Sequence, residues 1–161
     1  MTDYTGLVVW RQLGDLVSAT TALGLHRQSP GRPVTFVSEV KKRLFSCIYI
    51  ADMGSSLLTG RPPSLSSRFS RIHIPVDVSD EALMQGGEVL QRAMEDVDAN
   101  GWNLGKKHYA NTSTRSRIMM APILNEALEL FLGDPEELEG AGETIKYAFP
   151  VPTMNGKHTD L

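Results

Sequence analysis

One long helical segment, which a glycine and two prolines bring to an end, sets the strongest limit on how this chain can fold. The segment runs from about Ser38 to Thr59, contains no proline, and is followed by Gly60, Pro62 and Pro63. Proline has no amide hydrogen to donate, and glycine is common directly after a helix, so the helix must stop there. A helix of this length needs other elements to bury its apolar side chains. The segment therefore predicts a protein built around a central helix.

The pattern within this segment predicts which side faces the core. Phe45 and Tyr49 widen an apolar face, so that the middle of the helix is apolar nearly all round. Ser38 is expected to cap the helix, and Glu39 is expected to pair with Arg43 one turn later. The residues that recur at helical spacing and define the predicted core face are Val40, Leu44, Cys47, Ile48 and Ala51.

Other helices are predicted before and after the central segment, within a domain at 1–149. Their approximate ranges are 4–25, 79–100, 113–132 and, for a short acidic helix, 136–147. Gly24 is expected to end the first of these in a left-handed conformation, and Pro122 marks either a kink or a later helix start. The tail at 150–161 has little to bury. The predicted fold class is all-α, an irregular bundle of about four to five helices with a long extended connection near residues 60–78.

Charge is unevenly distributed along the chain, although the net charge is only −3. Residues 1–75 hold 9 Lys or Arg against 4 Asp or Glu, and residues 76–161 hold 7 against 15. Most charged side chains face solvent, and that is the interpretation we prefer here; an interaction surface is the alternative. A net charge of this size gives no general attraction to nucleic acid or to anionic membranes.

Two patterns that can hold metal ions are incomplete. The four histidines, His26, His73, His108 and His158, have no helical spacing to one another, so no zinc site is predicted. Residues 96–101 begin like a calcium-binding loop, with Asp96, Asp98 and Asn100 at ligand positions. The glutamate required at the twelfth position is replaced by Lys107. We interpret this segment as a helix end followed by a turn, and we expect no metal and no cofactor in this chain.

The remaining reactive or basic groups have ordinary explanations. Cys47 is the single cysteine, which excludes an internal disulfide, and its place on the predicted apolar face favours a small core residue. The basic run at 41–43 is either a weak nuclear-import signal, a phosphate contact or, as we prefer, a solvated helix face. No phosphate-binding loop, nucleophile elbow or catalytic triad is present in the sequence, so no catalytic residue is assigned and no enzyme is predicted.

The sequence also gives an expectation for location. No run of apolar residues approaches the length that crosses a bilayer, and the first residues lack the basic start and the cleavage site of a secretion signal. The expectation from the residues alone is therefore the cytosol or the nucleus.

Four motifs, in order and spacing, resemble the fungal-specific transcription factor domain, the middle homology region of fungal zinc binuclear-cluster transcription factors. The resemblance is best over residues 10–84. The motifs are WRQL at 10–13 with ALGLHR at 22–27, EVKKRLF at 39–45 with YIAD at 49–52, LTGRPPSL at 58–65, and IPVDVSDE at 74–81. The positions that carry the resemblance are Trp10, Gly24, Leu25, His26, Arg27, Glu39, Arg43, Leu44, Tyr49, Asp52, Gly60, Arg61, Pro62 and Pro63.

The resemblance implies a regulatory domain of a nuclear transcription factor. Members of that family bind DNA through a separate cluster of six cysteines and two zinc ions, and Cys47 is the only cysteine here. We therefore expect a fragment of the regulatory region that reaches DNA only through the missing zinc-cluster module. Its expected partners are a small-molecule effector, a transcriptional co-regulator or a second copy of itself, and no membrane. The alternative is a stand-alone helical ligand-binding or scaffold protein without catalytic activity.

Two matching positions have structural roles that can be argued from their chemistry. Asp52 lies in an apolar helix, and a buried carboxylate needs a partner, for which Arg61 and Arg27 are the candidates. Arg61 follows the helix stop at Gly60, so its guanidinium is expected to donate to the last carbonyls of the central helix.

Overall fold

The computed structural model describes residues 4–28 and 33–133. Six α-helices occupy most of this part. Two short 3₁₀ turns, Leu25–Arg27 and Ser67–Phe69, lie in the connections before and after the second helix. The helices are α1 (Tyr4–Ala22), α2 (Phe36–Thr59), α3 (Asp80–Gln85), α4 (Gly87–Glu95), α5 (Ala110–Met119) and α6 (Ala121–Leu132). Within these residues the only β-type pairing is an isolated bridge between Val97 and Asn103. The predicted all-α irregular bundle is confirmed, with the extended connection after α2.

The described part has two more helices than were predicted for it, because two predicted helices are each divided. Gly86 has φ +63° and ψ −156°, a backbone conformation open only to glycine, and it separates α3 from α4. Met120 separates α5 from α6, and Pro122 lies in the first turn of α6. Proline is well tolerated in a first turn, where its missing amide hydrogen is not needed. Pro122 therefore marks a helix start and not a kink.

Local chemistry explains the ends of α1 and α2. Gly24 follows α1 with φ +68°, as predicted, and lets Leu25 fold back into the core. Gly60 ends α2 with φ +65°. The start of α2 differs from the prediction, because Thr35 and not Ser38 is the capping residue. The Thr35 side chain accepts from the Ser38 amide while the Ser38 hydroxyl accepts from the Thr35 amide.

The core forms around α2, which packs against α1, α5 and α6. Its main cluster joins residues of all four helices with Leu25 and Leu65 from the connections: Val17, Leu25, Phe45, Ile48, Tyr49, Met53, Leu65, Ile118, Ala121 and Leu128. A smaller cluster of Val78, Leu83 and Leu90 lies under α3 and α4. The central position predicted for this helix is therefore observed.

The predicted core face of α2 is wrong. Of its five residues only Ile48 is buried, whereas Val40, Leu44, Cys47 and Ala51 are exposed. The true core face carries Phe45, Ile48, Tyr49 and Met53, together with four buried polar residues: Glu39, Ser46, Asp52 and Ser56. The sequence could not decide between the two faces because both are apolar, and polar residues such as Asp52 and Ser56 can be buried when they are hydrogen-bonded.

In α1, too, the apolar residues do not by themselves show which side faces the core. Leu13 and Val17 are buried, whereas Val9 and Leu16 of the helix and Leu23 directly after it are exposed although they are apolar. The predicted acidic helix at 136–147 and the tail at 150–161 lie outside the described residues, as does the predicted end of the domain at 149. In the described part of the chain, no helix is both long enough and apolar enough to cross a membrane.

Candidate functional site: a buried polar network

The connection at residues 75–78 runs between α2, α5 and the loop that precedes α5. Extended backbone in this position has no neighbouring strand to bond, so other groups must satisfy its amides and carbonyls. The Val76 amide donates to Glu39 Oε2 at 2.8 Å, and the Val76 carbonyl accepts from Asn111 Nδ2 at 2.7 Å. The Asp77 amide donates to the Gly101 carbonyl at 2.9 Å. Side chains from α2 and α5 therefore fix the path of this connection.

Glu39 is fully buried and anchors the α2 side of the network. Its second carboxylate oxygen pairs with Lys42, so both oxygens are bonded. The predicted pair between Glu39 and Arg43 is wrong, because Arg43 pairs with Asp80 at the start of α3 and also donates to the Val78 carbonyl. Glu39 therefore binds the extended connection, whereas Arg43, one turn later on α2, binds the start of α3.

Asp77 is buried at the centre of the network, with 1 % of its surface exposed. Its Oδ1 accepts from the Thr112 hydroxyl at 2.7 Å, and its Oδ2 accepts from the side-chain amide of Asn103. Asn103 in turn accepts from the Lys107 amide at 2.7 Å and donates to the Lys107 carbonyl at 2.8 Å. The carboxylate therefore holds the loop before α5 against the first turn of that helix.

Arg115 is the largest fully buried side chain in the described part of the chain. Its guanidinium donates to the carbonyls of Pro75 and Asn100 and lies over the Trp102 ring, 4.6 Å from the ring centre. The flat guanidinium suits this combination, since it can donate in its plane and stack on an aromatic face at the same time. Arg115 thereby joins the connection to the loop.

Burial and the nearby carboxylates shift the pKa of Arg115 in opposite directions. Burial lowers the pKa of the guanidinium, while the carboxylates of Asp77, Asp98 and Glu39 oppose that shift. Arginine remains protonated in proteins, so the cation persists inside the fold and is balanced by acidic groups around it. The network is accordingly a set of mutually compensating buried charges.

The loop that resembles a calcium site is used in a different way. Asp98 Oδ1 accepts from the backbone amides of Asn100 and Trp102 at 2.9 and 2.8 Å, which makes a tight turn of its own backbone. Gly101 has φ +87° and lies against the Arg115 guanidinium. Within residues 4–28 and 33–133 no group of three or more His, Cys, Asp or Glu residues could hold a metal ion.

Asp52 on α2 is buried, but its predicted arginine partners are wrong. Its Oδ2 accepts from the Leu65 backbone amide at 2.7 Å, so the carboxylate pins the turn after α2 to the helix. The Arg61 guanidinium lies over the Trp10 ring, 5.2 Å from its centre, and not on the last carbonyls of α2. Trp10 and Arg61 are two motif residues that the fold brings together, and they join α1 to the end of α2.

The other motif residues have structural positions. The His26 carbonyl accepts from the Arg71 amide at 2.8 Å, next to the exposed Arg27. Tyr49 is buried in the core, and Leu44 is 46 % exposed. Pro62 and Pro63 border a surface cavity together with Leu65, Leu128 and Leu132. Gly24, Leu25 and Gly60 shape helix ends, as described above.

Two further expectations can be compared with the structure. Cys47 is exposed, so its assignment as a core residue is wrong. In the basic run, Lys41 is exposed as expected, whereas Lys42 and Arg43 are partly buried in ion pairs with Glu39 and Asp80.

The members of the network that the sequence did not single out are Asp77, Asn111, Thr112, Arg115 and Trp102. Asp77 belongs to the IPVDVSDE motif, which was the one available signal. Arg115 had no signal, because an arginine on a helix is normally solvated and only the fold shows that it is buried. The chemistry of the network is satisfaction of backbone groups, and each carboxylate in it is occupied by donors.

Comparison with known protein families gives a match over the first part of the chain. The sequence model of the fungal specific transcription factor domain matches residues 1–99, which include α1 to α4, the connection and the Glu39–Val76 contact. No curated protein and no solved structure matches the chain. The match covers more than half of the 161 residues. The chain belongs to the family of the fungal specific transcription factor domain.

Proposed function

We propose that this chain is a regulatory domain of a fungal zinc-cluster transcription factor, which acts in the nucleus through protein contacts and has no catalytic activity. The family match carries the proposal, since this family regulates transcription. The buried charges support it, because Glu39 and Arg115 bond to backbone groups and Asp77 accepts from the side chains of Thr112 and Asn103. A zinc cluster elsewhere in the parent protein would supply DNA binding, and with it the zinc.

The chain itself is proposed to bind neither specific DNA nor metal. Its net charge is −3, it has one cysteine, and the Asp98 carboxylate already accepts two backbone amides. Titration against mixed promoter DNA at moderate salt should give no sequence-dependent binding, and metal analysis after dialysis should give well below one equivalent. Tight, sequence-dependent DNA binding or a stoichiometric metal would contradict the proposal.

The regulatory role is tested by fusing the full chain to an unrelated DNA-binding domain in a fungal reporter strain. We expect the fusion to change reporter transcription relative to the DNA-binding domain alone. The substitution Arg115→Met should abolish the change, because it opens the polar network, whereas Arg117→Met on the exposed side of α5 should preserve it. An inert fusion that is well expressed would favour a stand-alone ligand-binding or scaffold protein.

A further inference from the structure

The side of α2 that faces away from the core carries a continuous stripe of apolar and small residues, which we name the outer stripe. Its members are Val37, Val40, Leu44, Cys47, Ala51, Gly54 and Leu58. They are alternately three and four residues apart over the whole length of the helix. Leu58 is 90 % exposed and Val37 is 58 % exposed, and none of the seven is buried. In the described part of the chain all seven therefore remain at least partly accessible to solvent.

Such a surface is unusual for a helix face in contact with water. The outer face of a helix in a globular protein normally carries polar and charged side chains, and a contiguous exposed apolar patch marks a site of association. No member of the outer stripe is charged. A strict three-and-four spacing is also the pattern by which two helices pack side chains of one into gaps of the other.

We propose that the outer stripe binds the same stripe of a second copy of this chain, with the two α2 helices antiparallel and crossing close to Cys47. This proposal does not depend on the regulatory role proposed above. Cys47 lies at the middle of the stripe, so a two-fold axis there aligns both stripes over their full length. Val37 of one copy then lies opposite Leu58 of the other, and Leu44 lies opposite Ala51.

The sizes of the side chains favour the antiparallel arrangement. The half of the stripe nearer the start of α2 carries Val40 and Leu44, and the other half carries Ala51 and Gly54. An antiparallel pair places Val40 and Leu44 of one copy against Gly54 and Ala51 of the other, which fills space evenly between the two end pairs of Val37 and Leu58. A parallel pair would place Leu44 against Leu44 and leave a gap between the two glycines.

The positions of the basic residues on α2 also favour the antiparallel arrangement. The basic residues beside the stripe lie only in the first two turns of α2, and Lys42 and Arg43 are already paired with Glu39 and Asp80. Lys41 is exposed. A parallel pair would bring the two Lys41 ammonium groups together. An antiparallel pair places each near the carboxyl end of the other α2, where the helix dipole is negative.

The first test is the association state of the full chain by sedimentation velocity under reducing conditions, over a series of concentrations. We expect a reversible monomer–dimer equilibrium. Leu44→Glu should weaken it at least about tenfold, because a carboxylate would be buried against Ala51 of the other copy. Ala51→Arg is a second disrupting variant. Phe69→Glu is the matched control, since Phe69 is 68 % exposed but lies outside the stripe, and it should leave the dimer intact.

The second test is the direction of the two helices. Two variants are made in a Cys47→Ser background, one with Val40→Cys and one with Gly54→Cys, and are oxidised separately and as a mixture. A Cβ added at Gly54 meets nothing within 4 Å, so the site accepts the cysteine. The mixture should form disulfide-linked dimers at least about tenfold faster than either variant alone, because a disulfide requires the two α-carbons to be close.

Each result decides the proposal. A chain that stays monomeric up to its solubility limit, or a dimer that Leu44→Glu and Ala51→Arg both leave intact, would overturn it. Faster cross-linking of each variant alone than of the mixture would show a parallel pair and would also overturn it. A monomer whose Cys47 resists a maleimide reagent would show that another segment covers the stripe in place of a second copy.

Discussion

The guanidinium of Arg115 lies 4.6 Å from the centre of the Trp102 ring, and its nitrogens donate to the carbonyls of Pro75 and Asn100. A single side chain of α5 thereby holds two segments that lie 40 and 15 residues before it in sequence. Within the connection Glu39 and Asn111 hold Val76, and within the loop the Asp98 turn holds the local backbone. The contact of Arg115 is what ties the two segments to each other on α5.

Removing this side chain should destabilise the fold. Arg115→Met leaves the buried Pro75 carbonyl and the partly buried Asn100 carbonyl without this donor and should lower the free energy of unfolding by about 2–4 kcal/mol. Arg117→Met is the control on the same helix, because Arg117 is exposed, and it should change the value by less than about 0.5 kcal/mol. Urea unfolding followed by circular dichroism measures both. Equal stability of the two variants would mean that the network contributes nothing.

The glycine beneath Arg115 should be similarly sensitive. Gly101 has φ +87°, and a Cβ there would be 3.0 Å from two guanidinium nitrogens of Arg115. Gly101→Ala should therefore cost about 1–3 kcal/mol. Gly105→Ala is the matched control in the same loop, since its added Cβ would meet only ordinary contacts at 3.9 Å. Thermal unfolding of the two variants should separate them clearly, and a Gly101 variant as stable as the Gly105 variant would argue against this backbone geometry.

The turn after α2 depends on one carboxylate. Asp52→Ala removes the acceptor of the Leu65 amide and should lower the free energy of unfolding by about 1–3 kcal/mol. Asp15→Ala on the exposed side of α1 is the control and should be neutral. Hydrogen exchange at the Leu65 amide gives a direct measurement. We expect faster exchange there in the Asp52 variant only, and unchanged protection would contradict the role of this carboxylate.

Tyr49 gives a prediction about pH. Its ring is fully buried beside Phe45, and its hydroxyl has no hydrogen-bond partner among the described residues. Burial, with smaller contributions from Asp52 and Glu129, raises the pKa of Tyr49 above its ordinary value of 10.0. The unfolded chain therefore loses this proton first, and stability falls as the pH rises from 10.0 toward the pKa of the folded state.

Tyr49→Phe should remove that contribution. At neutral pH the variant should be as stable as the original chain or up to about 1 kcal/mol more stable, because no hydrogen bond is lost and no polar group stays buried without a partner. Above pH 10 the stability difference should grow in favour of the variant. The measurement is a set of urea unfolding curves between neutral and alkaline pH, and a constant difference across the series would refute the assignment.

Several features of this protein were set by neighbouring residues and could be predicted. Gly24 and Gly60 end their helices in the left-handed conformation, because they lack a Cβ and the residues around them stop the helical pattern. Pro62 and Pro63 enforce the extended connection. For the fourth predicted helix, Pro122 left two possibilities, a kink or a later helix start, and the structure has the later start. These helix ends and helix starts depend on the backbone conformations open to a few neighbouring residues, and the residue types alone indicate those conformations.

The hydrogen-bond partners of the buried charged residues could not be predicted, because partners are set by distance in the folded chain and not by distance in sequence. Asp52 and Glu39 were expected to pair with arginines, and they bond instead to the backbone amides of Leu65 and Val76. A carboxylate accepts equally well from any suitably placed donor, so its residue type does not name the partner. Arg115 could not be singled out at all, since its partners come from segments that only the folded chain brings beside α5.

The residues of α2 and of the turn after it specify a long helix, its end, and its place at the centre of an all-α protein. The packing of the folded chain places Phe45, Tyr49 and Met53 in the core and leaves Val40, Leu44 and Cys47 facing outward. Helical periodicity distinguishes an apolar face from a polar one, and this helix has two apolar faces. The choice between them was made by which surface the neighbouring helices cover, and that is a property of the assembled fold.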